Sequence, residues 1–221
     1  DVYKRQVFPW WSPDGKYLYY ASARFVRKDT IENLDNETIL RYKEIKYNLF
    51  RRSFDPASRR IGPPELVFDA AALGKSATLP RISPDGHYLM FTLGEFGVFH
   101  IWHKDADLYL MDLRTRQVRP MTEINSDDVE SYHSWSSNGR WVVFSSRRYD
   151  GNYTRPFIAY IDKNGKGRKP FELPQEVPDM HRRFMRSYNI PEFMNGPVEI
   201  TPQAFASLIR DTEARPARQK N

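Results

Sequence analysis

The 221-residue chain contains no cysteine, which excludes disulfides, thiolate-bound metals and covalent haem attachment. No apolar run approaches the roughly 18–20 residues of a membrane-crossing helix, so direct membrane insertion is not expected. No signal peptide is visible at the N-terminus. A Gly-x-Ser-x-Gly nucleophile elbow is absent too, which argues against a serine hydrolase and for a non-enzymatic chain. Charge is only mildly one-sided: 34 Lys and Arg stand against 28 Asp and Glu, for a net +6. The basic pairs, among them Arg51-Arg52, Arg147-Arg148 and Arg182-Arg183, are interspersed with acidic residues and lack the ordered aromatic-basic alternation of a nucleic-acid platform. They read as solvated surface, with no nucleic-acid partner. No cofactor and no resident metal are expected.

What is present is a repeat. Three times a hydrophobic residue and a tight-turn tetrad lead into a run of large apolar residues: Trp11-Ser12-Pro13-Asp14-Gly15 before Tyr17 to Tyr20, Ile82-Ser83-Pro84-Asp85-Gly86 before Tyr88 to Phe91, and Trp135-Ser136-Ser137-Asn138-Gly139 before Trp141 to Phe144. Pro presets φ, Asp or Asn tolerates the bend and Gly supplies a positive φ, so each tetrad predicts a hairpin. A second landmark follows each one, a strand closing on Asp55, Asp112 or Asp162, then a polar turn and a last short strand. That makes four strands per repeat. The turn glycines lie farther apart than the roughly 40–50 residues of common propeller blades. The excess falls mainly between tetrad and strand-end Asp, which predicts insertions between the second and third strands, at 24–46 and 94–107.

The Trp-Ser-Pro-Asp-Gly-Lys run at 11–16, its variants at 82–86 and 135–139, and the segment Tyr188-Asn189-Ile190-Pro191-Glu192-Phe193 resemble the WD-like β-propeller repeats of TolB-like proteins, in particular the C-terminal part of those found in Bacteroidetes-type genomes. The resemblance covers about residues 7 to 200. It implies an all-β fold, a partial β-propeller of about three four-stranded antiparallel blades with a C-terminal extension containing short helices. It also implies a protein-binding or interaction module of the cell envelope or periplasm. The alternative is a propeller accessory to a prolyl-peptidase-type hydrolase whose catalytic domain lies outside this chain. Residues 1–6, Asp-Val-Tyr-Lys-Arg-Gln, resemble the translated end of a transposon used to fragment DNA for sequencing. They are expected to make few contacts, and the unclosed ring to leave an exposed face on the first blade. Blades are expected at about 7–70, 71–124 and 125–173, the extension at 174–213 and a disordered tail at 214–221.

Function is sought in the inserts and near the channel. In the first insert, Asn36 is expected to cap a short helix running through Glu37, Ile39, Tyr42 and Ile45, with Glu37 and Arg41 paired at i,i+4. The second contains His100, His103, Asp105 and Asp107, residue types that can ligate a divalent ion, although histidines beside Phe99, Ile101 and Trp102 are more often packed. In the third repeat Tyr132-His133-Ser134 occupies the innermost strand. Neighbours on a strand face opposite ways, so His133 is not placed to activate Ser134. Tyr132, His133, Arg147 and Arg148 are the candidate ligand-binding residues, the arginines as bidentate donors to a small acidic ligand. In the extension, Asp179 is expected to cap a short helix, and Thr201-Pro202 to start a helix over Gln203 to Thr212.

Overall fold

The computed structural model describes residues 2–28 and 33–211. Three separate four-stranded antiparallel sheets follow one another along the chain. The first comprises β1 (Val2–Trp11), β2 (Tyr17–Val26), β3 (Tyr47–Asp55) and β4 (Arg60–Phe68). The second comprises β5 (Ser76–Ile82), β6 (Tyr88–Gly94), β7 (Asp107–Asp112) and β8 (Val118–Pro120). The third comprises β9 (Glu130–Trp135), β10 (Trp141–Ser146), β11 (Arg155–Tyr160) and the two-residue β12 (Phe171–Glu172). Strands pair in chain order within each sheet, and the first strands β1, β5 and β9 lie innermost, each packed on the next. This is the expected propeller architecture, with the longer connections between second and third strands.

Each tetrad joins the first two strands through one repeated set of bonds. The Ser12 hydroxyl donates to Asp14 Oδ1 at 2.6 Å and accepts from the Tyr17 N–H at 2.9 Å. Ser83 with Asp85 and Tyr88, and Ser136 with Asn138 and Trp141, repeat it. The serine therefore locks the turn from inside, and Asp and Asn serve equally because only one side-chain oxygen is used. Gly15, Gly86 and Gly139 sit at φ +68°, +73° and +65°, which explains why no other residue occupies the fourth place. At the strand ends, Asp112 Oδ1 accepts from Arg114 and Thr115 N–H groups, and Asp162 does the same for Asn164 and Lys166.

A second repeated device was not read from the sequence. Phe8, Leu79 and Tyr132, each four residues before the turn serine, have φ of +53°, +54° and +50°. At each the inner strand bulges, with two residues standing opposite one on the neighbouring strand. The pairs Phe8-Pro9 and Leu79-Pro80 were the available signal, since proline inside a strand pattern marks an irregularity.

Packing joins the sheets face to face. Tyr19, Ala21, Ala23, Phe25 and Leu49 of the first sheet meet Ile82, Leu89, Phe91, Leu93 and Met111 of the second. Met90, Leu108 and Leu110 on the other side of the second sheet meet Val142, Phe144, Phe157 and Ala159 of the third. The middle sheet is thus covered on both faces, which is why β6 is mostly apolar and buried along its length, with Thr92 its one hydroxyl beyond Tyr88. The far face of the first sheet remains open, a groove of about 430 Å³ bordered by Lys4, Gln6, Arg24 and Asn48 over Tyr20 and Phe50.

Residues 2–6 do not stand apart. They prolong β1 against β2, with Val2 opposite Val26 and Gln6 opposite Ser22, and Arg5 donates to the Thr38 hydroxyl at 3.2 Å. The expectation of few contacts is corrected here: main-chain pairing is indifferent to side-chain identity, so these residues can extend a strand whatever their origin.

The C-terminal extension docks on the third sheet. Ser145 Oγ donates to the Tyr188 carbonyl at 3.0 Å, the Tyr188 N–H to the Thr154 carbonyl at 3.1 Å, and Thr154 Oγ1 to Asn189 Oδ1 at 2.8 Å. Asp179 precedes a one-turn helix, Met180–Arg183, without a side-chain capping bond. The helix Pro202–Asp211 begins as expected, with Thr201 Oγ1 accepting from the Ala204 N–H. Thr212 and the tail at 214–221 lie outside the described residues.

Candidate functional site

Antiparallel order places both inserts, and the shorter connection between β10 and β11, at one end of the molecule, together with the starts of the inner strands. The first insert forms the helix Leu34–Leu40 and a 3-10 turn, Tyr42–Glu44. Its cap is Asn33, not Asn36: Asn33 Oδ1 accepts from the Asp35 and Asn36 N–H groups. An asparagine three residues upstream already meets the cap requirement, so Asn36 is inside the first turn. The Glu37–Arg41 pair forms as expected, with Glu37 fully buried.

This insert holds the second one in place. Tyr42 Oη accepts from the Val98 and Phe99 N–H groups at 2.9 and 3.3 Å, and its ring meets Phe96 and His103 edge-on at 5.7 and 6.1 Å. Gly97, at φ +71°, lies so close that a Cβ would fall 2.2 Å from the tyrosine ring. Tyr42→Phe should keep the ring and lose both bonds, leaving the partly buried Val98 N–H unpaired and the Phe99 N–H to solvent, and costing about 1–3 kcal/mol. Hydrogen exchange at Val98 and Phe99, faster than wild type, is the local readout.

His100 is 1% exposed, with Nδ1 paired to Thr78 Oγ1 at 2.9 Å and Nε2 without a partner. Burial, with His103 beside it, pushes its pKa down to about 4. Asp105 Oδ2 accepts from the Glu95 N–H at 2.6 Å. Burial, with Glu130 and Asp105 nearby, pushes Asp107 up to about 6. Among the described residues no group of three or more His, Asp or Glu side chains is arranged to hold a metal. His100 and His103 instead pack the loop.

The four candidate ligand residues separate into different environments. Tyr132 occupies the third bulge, half-buried against Ile101, Ala106 and Val129. His133 is 1% exposed and neither ring nitrogen has a hydrogen-bond partner; burial, reinforced by Arg81, pushes its pKa down to about 3. It is therefore neutral and sealed from the channel mouth. Arg148 turns into the space between the second and third sheets. Its guanidinium donates to Glu130 Oε1 and the Ile124 carbonyl, both at 2.9 Å, and to Ser146 Oγ at 3.1 Å, and lies 4.4 Å above the Phe157 ring. Arg147, in the connection just after β10, goes another way, 3.6 Å from Asp128 and 5.6 Å above the Trp102 ring. The two arginines do not face one ligand: Arg148 is committed to an internal network, and Arg147, 9% exposed, lies between Asp128 and Trp102. Trp102, 67% exposed, reads in the sequence only as a packing neighbour of the histidines, because Arg147 is 45 residues away in another blade.

The three repeated sheets make this a β-propeller protein. No family model and no curated protein matches the chain. Among solved structures it is similar to the β-propeller domain of the Trilobed protease from Pyrococcus furiosus, at 16% identity and TM-score 0.42 over 79% of this chain and 44% of that one. It is also similar to an oligogalacturonate lyase in complex with manganese, at 15% identity and TM-score 0.46 over 73% and 40%. A third is the acylaminoacyl peptidase of Pyrococcus horikoshii, at 17% and 0.42 over 79% and 26%. The chain spans less than half the length of each. The likeness concerns the fold alone.

Proposed function

We propose that the chain is a non-enzymatic, TolB-like interaction module of the cell envelope, and that it binds a protein through the insert end. The observation that carries this reading is the exposed Trp102 ring seated over the buried Arg147 guanidinium, with Phe99 56% exposed on the same insert. Tryptophan and arginine are the residues most enriched where interfaces concentrate their binding energy. Asp128 holds Arg147 from one side and the Trp102 ring lies on another, so the indole rests on a fixed guanidinium and is already oriented when a partner arrives. Tyr132 packs against the neighbouring Ile101, and the partner would meet the exposed faces of Trp102 and Phe99. The envelope location follows from the TolB resemblance.

Site-specific photocrosslinking tests the reading. A benzoylphenylalanine at position 102 should yield a discrete adduct in envelope extracts, and one at Ile61 on the opposite edge should not. Arg147→Ala should remove the adduct from position 102. Identical adducts from both positions would overturn the binding face, and turnover of an Ala-Pro p-nitroanilide by the purified chain would favour a hydrolase instead.

A further inference from the structure

Arg81 differs from Arg41, Arg51 and Arg148, each of which holds a carboxylate within 3 Å. The Arg81 guanidinium makes no hydrogen bond or ion pair with any described residue, and its Nε is buried without a partner. It lies 3.8 Å from the centre of the Trp10 ring. His133 is close enough to feel its charge and is itself fully buried with two unpartnered nitrogens. The three groups come from β1, β5 and β9, so all three inner strands converge on one unpaired cation. They sit near the turn end of those strands, away from Arg147.

We propose that Arg81, held by the Trp10 ring, forms a receptor for a carboxylate group of a small ligand. Leaving a partly buried guanidinium unpaired is costly, and an anion that accepts from it removes the cost. Stacking on the indole fixes the guanidinium plane and leaves its edge of parallel N–H groups for a planar acceptor. A carboxylate fits that edge with two bonds. A single positive charge matches a monoanion, whereas a dianionic phosphate would meet too little positive charge. Glu192 on the extension stabilises the Arg81 cation from a distance without pairing with it, and its negative field disfavours a second negative charge further. This receptor is independent of the insert-end face, and either can fail alone.

Acetate titrated into the intact, 15N-labelled chain is the test, with sodium chloride at matched ionic strength as control. The Arg81 Nε–Hε cross-peak, identified by its loss in Arg81→Lys, should shift saturably with acetate and not with chloride. Binding to Arg81→Lys, followed by calorimetry, should weaken about tenfold or more, the loss of one charge-assisted bond. Should that variant fail to fold, tryptophan fluorescence gives the same answer: an acetate-dependent change in wild type that disappears in Trp10→Phe. An equal shift with chloride, tighter binding of inorganic phosphate than of acetate, or undiminished binding in Arg81→Lys would overturn the proposal. Acetate binding that emerges only after Glu192→Gln would also overturn it, in favour of an internal ion pair.

Discussion

Glu130→Ala is expected to destabilise the protein by about 3–5 kcal/mol, the cost of stranding one member of a buried ion pair. Glu130 is 0% exposed and accepts four bonds: from the Ser126 N–H at 2.9 Å, Ser126 Oγ at 2.6 Å, Ser146 Oγ at 2.8 Å and Arg148 at 2.9 Å. Removing the carboxylate leaves the Arg148 charge enclosed between sheets and two hydroxyls without their acceptor. Burial pushes the Glu130 pKa up in spite of Arg148, so desolvation consumes most of what the pair gains. The double variant Glu130→Gln/Arg148→Met should accordingly recover much of the loss, since it removes both charges. Urea denaturation of the three proteins checks this. A double variant as unstable as Glu130→Ala would mean that the network contributes through hydrogen bonds rather than charge balance.

Acid should weaken the fold well before ordinary carboxylates protonate. His133 and His100 have folded pKa values pushed down to about 3 and about 4 from 6.5. A histidine whose folded pKa is depressed contributes stability that is complete above its unfolded pKa and falls away as pH drops below it. Between pH 7 and pH 5 each therefore withdraws about 2 kcal/mol. Asp107 works in the opposite sense: its pKa is raised to about 6, so lowering the pH relieves a charged form the fold disfavours. It is half-buried, and after solvent screening it returns about 1 kcal/mol at most. The net expectation is a loss of about 3–4 kcal/mol from pH 7 to pH 5, measured as a falling urea midpoint at constant m-value. A flat profile across that interval would show that the two histidines exchange with solvent rather than remain sealed.

The repeat was legible because its turns are local. Ser, Pro or Ser, Asp or Asn, and Gly within five residues contain the bonds that close each hairpin, and the strand-end aspartates bind N–H groups only two to four residues away. The strands and the place of the inserts followed from those landmarks. The site was less legible, because its geometry depends on residues brought together across blades. Arg147 and Arg148 look equivalent in sequence, and only the sheet-to-sheet packing sends one into Glu130 and the other to Trp102. Arg81 carried no signal at all, since its isolation becomes visible only when Trp10 and His133 are placed around it. The helix cap was misplaced by three residues for a more ordinary reason: Asn33 and Asn36 satisfy the same local rule, and the burial of Glu37 and Thr38 decides which one lies at the end.

The bulges at Phe8, Leu79 and Tyr132 also set a phase. Side chains on a strand alternate with period two, so Ala77 and Ile82, an odd number of residues apart, would face opposite ways on a regular strand. Both enter the same core, because Leu79 and Pro80 together stand opposite Phe91 alone. Val7 and Trp10 of β1 owe their common side to the same device. Each inner strand is therefore two half-strands of opposite parity spliced by one extra residue. Deleting Pro80 would remove that extra residue and leave Ala77 and Ile82 an even number of residues apart, on one side of a regular strand, whereas losing Leu79 and Pro80 together would turn one half inside out. Whole blades can be gained, lost or lengthened in their inserts, but this splice tolerates the loss of one residue and not of two.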